Sequence, residues 1–307
     1  MFDGILPIYK ERGMTSHDVV FKARKILKMK KIGHSGTLDP EVDGVLLLLL
    51  GGATKVSDYA MDLGKSYRAE VCLGIKTTTE DLTGEILEER TVEGIDISEI
   101  KGILKTMIGE IEQTPPIYSA VKVNGRKLYE YARRGQFDVE IPSRKVNIYN
   151  IELIDNSEYY KDGKFYFTID INCGKGTYVR TIATSIGEKL NIPSTMSKLT
   201  RTSSGKITID HCLKLVDVEK CLKENTLEDK ILKKEYALEE YQFVEIPLFR
   251  AKQVMNGLRF RKNQFPDYDF SNGIVFTYNN EAIAIYYLKD KDDELLSVKT
   301  TFPKILE

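Results

Sequence analysis

One short polar loop is the segment of this sequence best suited to carry chemistry. It runs from Gly33 to Gly44 and contains His34 and an aspartate, Asp39, directly before a proline. The proline pushes Asp39 towards an extended backbone, and the glycines permit tight turns and close approach of another molecule. A carboxylate presented in this way is a candidate nucleophile or base. A turn aspartate that only caps its neighbours is the plainer alternative, and the loop alone leaves both open.

Hydrophobic spacing predicts the elements that hold this loop. Thr15 or Ser16 caps a predicted amphipathic helix that continues to Lys31, before the loop. The apolar run 45–50, stopped by two glycines, predicts a buried strand directly after it. Further along the chain, alternation predicts strands at 67–73 and 165–173. Helical spacing predicts a helix capped by Ser98 and another that carries Val179 to Ile186.

Two basic segments are candidates for contact with nucleic acid. The net charge is only −1, but six of the ten residues from Lys22 to Lys31 are basic. That single-sign helix face favours phosphate contact over an ordinary solvated surface. The second segment, 118–145, mixes basic and aromatic side chains, which suits RNA backbone and base contact, with a solvated helical hairpin as the alternative. Within this segment, the residues predicted to bind RNA are Lys122, Arg126, Tyr129 and Arg133.

The rest of the composition indicates a cytoplasmic globular protein of two unequal units. Apolar residues make up 42% of the chain, and no apolar run approaches the ~20 residues that cross a bilayer. The first residues do not resemble a secretory signal, and the four scattered cysteines indicate free thiols rather than a metal site. Residues 216–241 have a charged, helical character, and short strands at 274–278, 282–287 and 295–298 predict a β-rich module near the end.

The loop also belongs to a longer pattern that identifies a family. The segment GHSGTLDPEVDGVLLLLLGGATK, residues 33–55, closely resembles the signature of TruB-type tRNA pseudouridine synthases. Five further blocks resemble the family pattern in order: KSYRA at 65–69, TTTEDLTG at 77–84, QTPPIYSAVK at 113–122, GTYVRT at 176–181 and LTRTSSG at 199–205. The sequence departs from the pattern at Glu11, where the family usually has proline, and at Thr78, where it has an acid.

The resemblance implies both an architecture and a reaction. It implies an α+β pseudouridine synthase fold with a mixed, largely antiparallel central sheet flanked by helices and loops. The catalytic domain would cover 1–243, with a thumb-like insertion at about 118–145, and a small β-rich PUA-like RNA-binding domain would cover 244–307. The implied activity is isomerisation of uridine 55 in the T-arm of tRNA. A guide-RNA-dependent synthase and a tRNA chaperone without catalysis are the alternatives.

The same resemblance implies roles for individual residues. Asp39 would be the essential carboxylate, and Arg180 would pair with it and keep it charged and oriented. Asp81 would position Arg180, and Tyr67 would stack on the extruded base and handle the C5 proton. Tyr178 and Leu199 would line the pocket. His34 would stack beside the space that the base leaves, and Lys10 would add a substrate contact.

The implied chemistry also sets expectations about partners. Moving a base from N1 to C5 of the same nucleoside needs no redox step, phosphate donor or metal-activated water. We therefore expect no cofactor and no metal. The expected partner is the T-arm of tRNA, bound by a monomer without a protein partner or a membrane.

Overall fold

The computed structural model describes residues 2–290 and 292–302. Its helices are α1 (Ser16–Leu27), α2 (Ser57–Asp62), α3 (Ile97–Thr106), α4 (Leu128–Ala132), α5 (Val179–Leu190), α6 (Leu215–Lys223) and α7 (Leu248–Met255). Its strands are β1 (Gly4–Lys10), β2 (Ile32–His34), β3 (Asp43–Leu50), β4 (Lys65–Leu73), β5 (Ile75–Thr77), β6 (Ile86–Glu89), β7 (Gly109–Gln113), β8 (Lys122–Val123), β9 (Arg126–Lys127), β10 (Arg144–Leu153), β11 (Tyr159–Lys161), β12 (Lys164–Cys173), β13 (Ser194–Ser204), β14 (Ile207–Thr208), β15 (Gln242–Glu245), β16 (Phe260–Arg261), β17 (Ile274–Tyr278), β18 (Glu281–Tyr287) and β19 (Leu295–Thr301).

A large mixed sheet forms the centre of the molecule. Its strands lie in the order β1-β3-β13-β4-β12-β10-β7, and β2, β14 and β11 pair at its margins. The pairs are antiparallel except β3 with β13, which run parallel where Thr200 faces Asp43. The predicted α+β class with a mixed, largely antiparallel sheet is confirmed.

Strand β3 is buried on both faces, which explains its uninterrupted apolar sequence. Successive side chains point to opposite faces of a strand. Accordingly, Leu46, Leu48 and Leu50 pack into one hydrophobic cluster with the inner faces of α1, α3 and α5. Val45, Leu47 and Leu49 pack on the other face into a second cluster that includes Ile285 and Phe302. The C-terminal module therefore packs against one face of the central sheet.

The strands predicted at 67–73, 165–173 and near the C-terminus are confirmed, whereas three helix boundaries were wrong. Helix α1 ends at Leu27 rather than Lys31, because Lys28 adopts the left-handed conformation with φ 52°. Helix α3 is capped by Asp96, whose side chain accepts from the Ser98 N–H, rather than by Ser98. Of the helical stretch predicted at 216–241, only α6 is an α-helix, and two short 3₁₀ turns follow it.

The thumb-like segment leaves and rejoins the sheet at one edge. Strands β7 and β10 pair directly, with Gln113 opposite Arg144. The Thr114 and Ser143 hydroxyls lie 2.7 Å apart and close the base of the excursion. Residues 114–143 therefore project from a single point, carrying β8, β9 and α4, while Arg144 and Lys145 belong to the sheet.

A second sheet contains the C-terminal strands in the order β15-β17-β18-β19-β16. Strand β15 pairs with β17 from Gln242 onwards, so the predicted division between residues 243 and 244 falls inside this strand. The last five residues of the predicted domain lie outside the described residues. None of the helices among the described residues combines the length and the hydropathy that a membrane span requires.

Candidate active site

The loop that carries Asp39 is fixed along its main chain by neighbouring elements. At its start, the Ser35 N–H donates to Leu47 O at 3.0 Å. In its middle, Leu38 exchanges two hydrogen bonds with the Ser16 hydroxyl at the start of α1, at 2.8 and 3.2 Å. Beyond Asp39, the Gly13 N–H donates to Pro40 O at 2.9 Å. The loop therefore has a defined shape, and the Asp39 side chain remains 45% exposed on it.

Lys10, predicted as a substrate contact, lies beneath this loop and supports its main chain. The residue is fully buried. Its ammonium group donates to the carbonyl oxygens of Glu11, Pro40 and Val42, at 3.1, 3.2 and 2.6 Å. A buried charge is tolerated when it is hydrogen-bonded, and here those bonds hold both sides of the turn after Asp39.

Arg180 faces Asp39 from the first turn of α5. Its guanidinium Nη2 lies 3.2 Å from the Asp39 carboxylate. Two carbonyl oxygens hold the guanidinium group in place. Nη1 donates to Thr79 O at 2.8 Å, and Nη2 donates to Tyr118 O at 2.9 Å. Only 5% of Arg180 is exposed. The planar guanidinium is thus preorganised to orient the carboxylate.

Asp81, which the resemblance predicts to position Arg180, is linked to it through the backbone of a turn. The Asp81 carboxylate accepts from the Thr79 hydroxyl at 2.6 Å and from the Thr83 N–H at 2.9 Å. These bonds shape the turn that presents the Thr79 carbonyl to Arg180. The Thr78 hydroxyl, at the position where the family pattern has an acid, accepts from the Glu85 N–H at 3.1 Å and serves the same turn.

Tyr67 and Arg201 form a buried pair beside Asp39. They face each other across β4 and β13, and Arg201 Nε donates to the Tyr67 hydroxyl at 3.2 Å. Arg201 also donates to Val45 O and to Thr37 O, at 3.3 and 3.1 Å. Burial raises the pKa of Tyr67, and the neighbouring guanidinium moderates this rise. The phenol therefore keeps its proton at neutral pH.

These residues open onto one cavity of about 840 Å³. This volume is in the range of pockets that hold small ligands. The four residues predicted as catalytic, Asp39, Tyr67, Tyr178 and Arg180, all line it, together with Leu199. Sequence positions up to 160 residues apart therefore converge on a single concave site.

Tyr178 is held at the cavity wall by its main chain and by a neighbouring cation. The Gln113 side chain accepts from the Tyr178 N–H at 2.8 Å and donates to its carbonyl at 3.0 Å. The Arg144 guanidinium lies 5.0 Å from the ring centroid, within the range of a cation–π contact. The start of α5 and the edge of the sheet are thereby tied together.

Lys65 is a third buried cation at the cavity wall, and it is not among the residues predicted from the sequence. Its ammonium group donates to the carbonyl oxygens of Met61 and Leu63, both at 2.8 Å, where α2 ends. Burial, with repulsion from Arg201, lowers the pKa of Lys65 to about 8. The cavity thus contains a lysine that loses its charge at mildly alkaline pH.

Arg201 and Lys65 were missed although the sequence contains a signal for each. Alternate residues of a strand share a face. On β13, Arg201 follows Leu199 at that spacing, and on β4, Lys65 precedes Tyr67 at the same spacing. A residue two positions from a predicted pocket residue on a strand is therefore a candidate for the same pocket.

The remaining predicted binding residues lie outside the cavity. His34 is half-buried on β2, and burial lowers its pKa. Lys122, Arg126, Tyr129 and Arg133 lie on the thumb-like segment, where Arg133 approaches the Tyr129 ring at 5.2 Å. Their side chains are available to a molecule larger than the cavity.

Comparison with known proteins identifies the family model that this chain matches. Residues 24–179 match the model described as TruB family pseudouridylate synthase (N terminal domain). A protein of Staphylococcus haemolyticus named tRNA pseudouridine synthase B is 47% identical over 98% of this chain and 100% of its own length. A protein of the same name from Staphylococcus saprophyticus is 51% identical over 93% of this chain and 94% of its own length.

Solved structures share the fold at lower sequence identity. A chain in the crystal structure of a Cbf5-Nop10-Gar1 complex is 24% identical, with a TM-score of 0.70 over 98% of this chain and 85% of that chain. A chain in the structure of an H/ACA RNP bound to a substrate RNA containing 2′-deoxyuridine is 22% identical, with a TM-score of 0.71 over the same shares. These similarities extend through both sheets.

Proposed function

This chain belongs to the TruB family of pseudouridylate synthases, and we propose that it converts uridine 55 in the T-arm of tRNA to pseudouridine. The observation that carries the proposal is the cavity in which the Asp39 carboxylate meets the Arg180 guanidinium at 3.2 Å. The relatives of similar length are named as tRNA-modifying enzymes, which supports tRNA as the substrate.

The substrate base must leave its stack before it can reach Asp39. Enzymes that act on a stacked base extrude the nucleotide into a pocket, at a cost of a few kcal/mol. Contacts made only by the extruded nucleotide offset that cost. Tyr67 and Tyr178 offer aromatic rings, and stacking of a base on a ring is worth roughly 1–3 kcal/mol. Leu199 provides an apolar wall.

The reaction breaks the N1–C1′ bond and forms a C5–C1′ bond within the same nucleotide. The C5 proton is lost and N1 gains a proton, so the overall change is an isomerisation. Asp39 acts as the essential carboxylate by attack on C1′, by attack on C6 or by removal of a ribose proton. Each route uses an ionised carboxylate, and the close Arg180 guanidinium favours the ionised form.

The Tyr67 hydroxyl is the group proposed to handle the C5 proton. It accepts a hydrogen bond from Arg201, which leaves its own O–H free to donate. The phenol would give that proton to N1 of the detached base, and the phenolate so formed would take the C5 proton. A neighbouring guanidinium also stabilises a phenolate that forms transiently. We propose that Arg201 acts through Tyr67 as a positioning residue, and that Lys65 maintains positive charge at the same wall.

Larger parts of the tRNA would contact surfaces outside the cavity. The thumb-like segment brings Lys122, Arg126, Tyr129 and Arg133 to the RNA backbone and bases. His34 would stack beside the vacated position, and the C-terminal module would add phosphate contacts far from the chemistry. The proposed working state is a monomer in the cytoplasm.

The test uses purified protein and an unmodified tRNA transcript, with no guide RNA and no other protein. Chemical derivatisation followed by primer extension should locate a new pseudouridine at position 55. A transcript with cytidine at that position is the matched control and should stay unmodified. Modification only when a guide RNA is added would indicate a guide-dependent synthase instead. Refolding of tRNA without any new pseudouridine would indicate a chaperone.

A further inference from the structure

Helix α1 presents a positive surface that the chemistry of the cavity does not use. Its inner face packs into the core through Val19, Val20, Ala23 and Leu27. Its outer face and the turn after it carry five exposed lysines, which we call the α1 basic face: Lys22, Lys25, Lys28, Lys30 and Lys31. Among the described residues, none of these lysines forms an ion pair with an acid.

The acids on α1 and on the helix that packs against it have other hydrogen-bond partners. On α1 itself, Asp18 accepts from the Thr15 N–H and hydroxyl, at 2.9 and 2.6 Å, and lies within electrostatic reach of Lys22. Helix α6 packs against α1, and its Glu219 pairs with Lys223 on the same helix at 3.1 Å. Asp217 accepts from the Lys214 N–H at the start of α6. The α1 basic face therefore keeps most of its charge uncompensated, with no acid between residues 22 and 31, on a molecule whose net charge is −1.

Helix stability alone does not account for this charge. Cations in the last turn of a helix interact favourably with its dipole, by about 0.3–1 kcal/mol each. Lys22 precedes that turn, and Lys30 and Lys31 follow the end of the helix. An exposed face that served only solubility would carry both signs.

The α1 basic face is also joined rigidly to the catalytic loop. Ser16, at the start of α1, exchanges two hydrogen bonds with Leu38, next to Asp39. The twelve residues of α1 extend about 18 Å from that point. An RNA whose nucleotide occupies the cavity has further phosphates at such distances.

We propose that the α1 basic face binds the phosphate backbone of the tRNA outside the nucleotide held in the cavity. This inference rests on the proposed function and extends it to a surface apart from the thumb-like segment and the C-terminal module. The lysines contact phosphates as point charges. They contribute affinity and register and do not read bases.

The test compares two triple variants that make the same change in net charge. One carries Lys22→Gln, Lys25→Gln and Lys28→Gln on the α1 basic face. The matched control carries Lys105→Gln, Lys161→Gln and Lys189→Gln, which are exposed lysines on α3, β11 and α5. Binding of the tRNA transcript is measured at several salt concentrations, and thermal unfolding verifies that both variants fold.

The α1 triple should flatten the slope of log K against log salt by roughly 2–3, since each lost phosphate contact removes roughly 0.7–0.9. The control triple should retain the wild-type slope. Equal slopes for all three proteins, or an equal loss in the control, would overturn the proposal. A membrane surface is the competing partner, and it is tested with phosphatidylglycerol vesicles. If the wild type binds these vesicles, and the α1 triple loses vesicle binding but binds tRNA normally, the proposal is overturned and the face is assigned to a membrane. Pseudouridine formation by the wild type is measured on the same transcript, so failure of the proposed function is seen separately.

Discussion

At Asp39 the main chain and the side chain are held by different partners. The Ser16 hydroxyl and the Lys10 ammonium fix the backbone on either side of the residue, and Arg180 alone among the described residues pairs with its carboxylate. A substitution at Arg180 should therefore change the orientation of the Asp39 carboxylate and leave the main chain of the loop in place.

Arg180→Lys should lower the single-turnover rate of pseudouridine formation by about 10- to 100-fold. Lysine keeps the charge but cannot bond Thr79 O, Tyr118 O and Asp39 from one planar group. Loss of one charge-assisted hydrogen bond is worth about 1.5–3 kcal/mol. Arg68→Lys is the control, because Arg68 makes a bidentate pair with Asp170 on the exposed face of the sheet. Equal rates for the two variants would contradict the role given to Arg180.

The lowered pKa of Lys65 predicts that the free energy of unfolding depends on pH. The folded chain holds the Lys65 proton with a pKa of about 8, below the ordinary value of 10.5. Between these values the unfolded chain binds more protons, so the contribution of Lys65 to the free energy of unfolding rises with pH. Relative to Lys65→Met, the wild type should gain up to about 3 kcal/mol from pH 8 to 10.5.

Denaturant unfolding of both proteins at several pH values measures this difference. Lys189→Met, which alters an exposed lysine on α5, controls for the general effect of removing a lysine. A difference between the wild type and Lys65→Met that stays constant across the window would contradict a lowered pKa at Lys65.

At the scale of elements, the sheet could be predicted and several connections could not. The strand at 165–173 and the apolar run of β3 follow directly from alternation and from burial on two faces. Helix α1 ends because Lys28 adopts the left-handed conformation. Lysine is not a residue type that predicts this conformation, so the sequence did not indicate the end of the helix. The burial of Lys10 was also hidden, because its three carbonyl partners come together only when β1 pairs with β3.

The same distinction applies to the candidate site. Family motifs named Asp39, Tyr67, Tyr178, Arg180 and Leu199, and the fold places all five around one cavity. The motifs did not show that Asp81 works through the Thr79 carbonyl or that Arg201 bonds the Tyr67 hydroxyl. Such relations depend on distances between strands, which a linear pattern does not contain.

The thumb-like segment should be needed both for binding and for the chemical step. We expect replacement of residues 122–132 by a short Gly–Ser linker to weaken tRNA binding and to lower the single-turnover rate at saturating enzyme. The excision spares Tyr118, which fixes Arg180, and Arg144, which contacts the Tyr178 ring. An unchanged rate at saturation, with only the affinity reduced, would confine the segment to binding.

At the scale of the whole molecule, the two sheets share a hydrophobic cluster. Ile285 and Phe302 of the C-terminal module pack with Val45, Leu47 and Leu49 of the central sheet, and the Lys55 ammonium donates to Thr301 O at 2.7 Å. Removal of the module would expose several side chains, each worth about 1.5–3 kcal/mol when buried. Truncation therefore reports on stability as well as on tRNA binding.

Two phenylalanines in the same module test whether the shared cluster stabilises the fold. Phe302→Ala should lower the free energy of unfolding by about 3–5 kcal/mol, because the residue is 2% exposed and lies in the shared cluster. Phe249→Ala should change stability by less than about 0.5 kcal/mol, because that ring is 62% exposed. Equal small losses in thermal or denaturant unfolding would show that the shared cluster does not hold the module in place.

The most direct test of the catalytic assignment is single-turnover pseudouridine formation by Asp39→Asn on the unmodified tRNA transcript. The substitution keeps the size of the side chain and removes the charge that the chemistry needs. Asp58→Asn, which changes another acid on the cavity wall, is the matched control and should retain activity. We predict no detectable product with Asp39→Asn, together with tRNA affinity and unfolding close to the wild type. A rate within about tenfold of the wild type, equivalent to about 1.4 kcal/mol in the barrier, would contradict the assignment of Asp39 as the catalytic carboxylate.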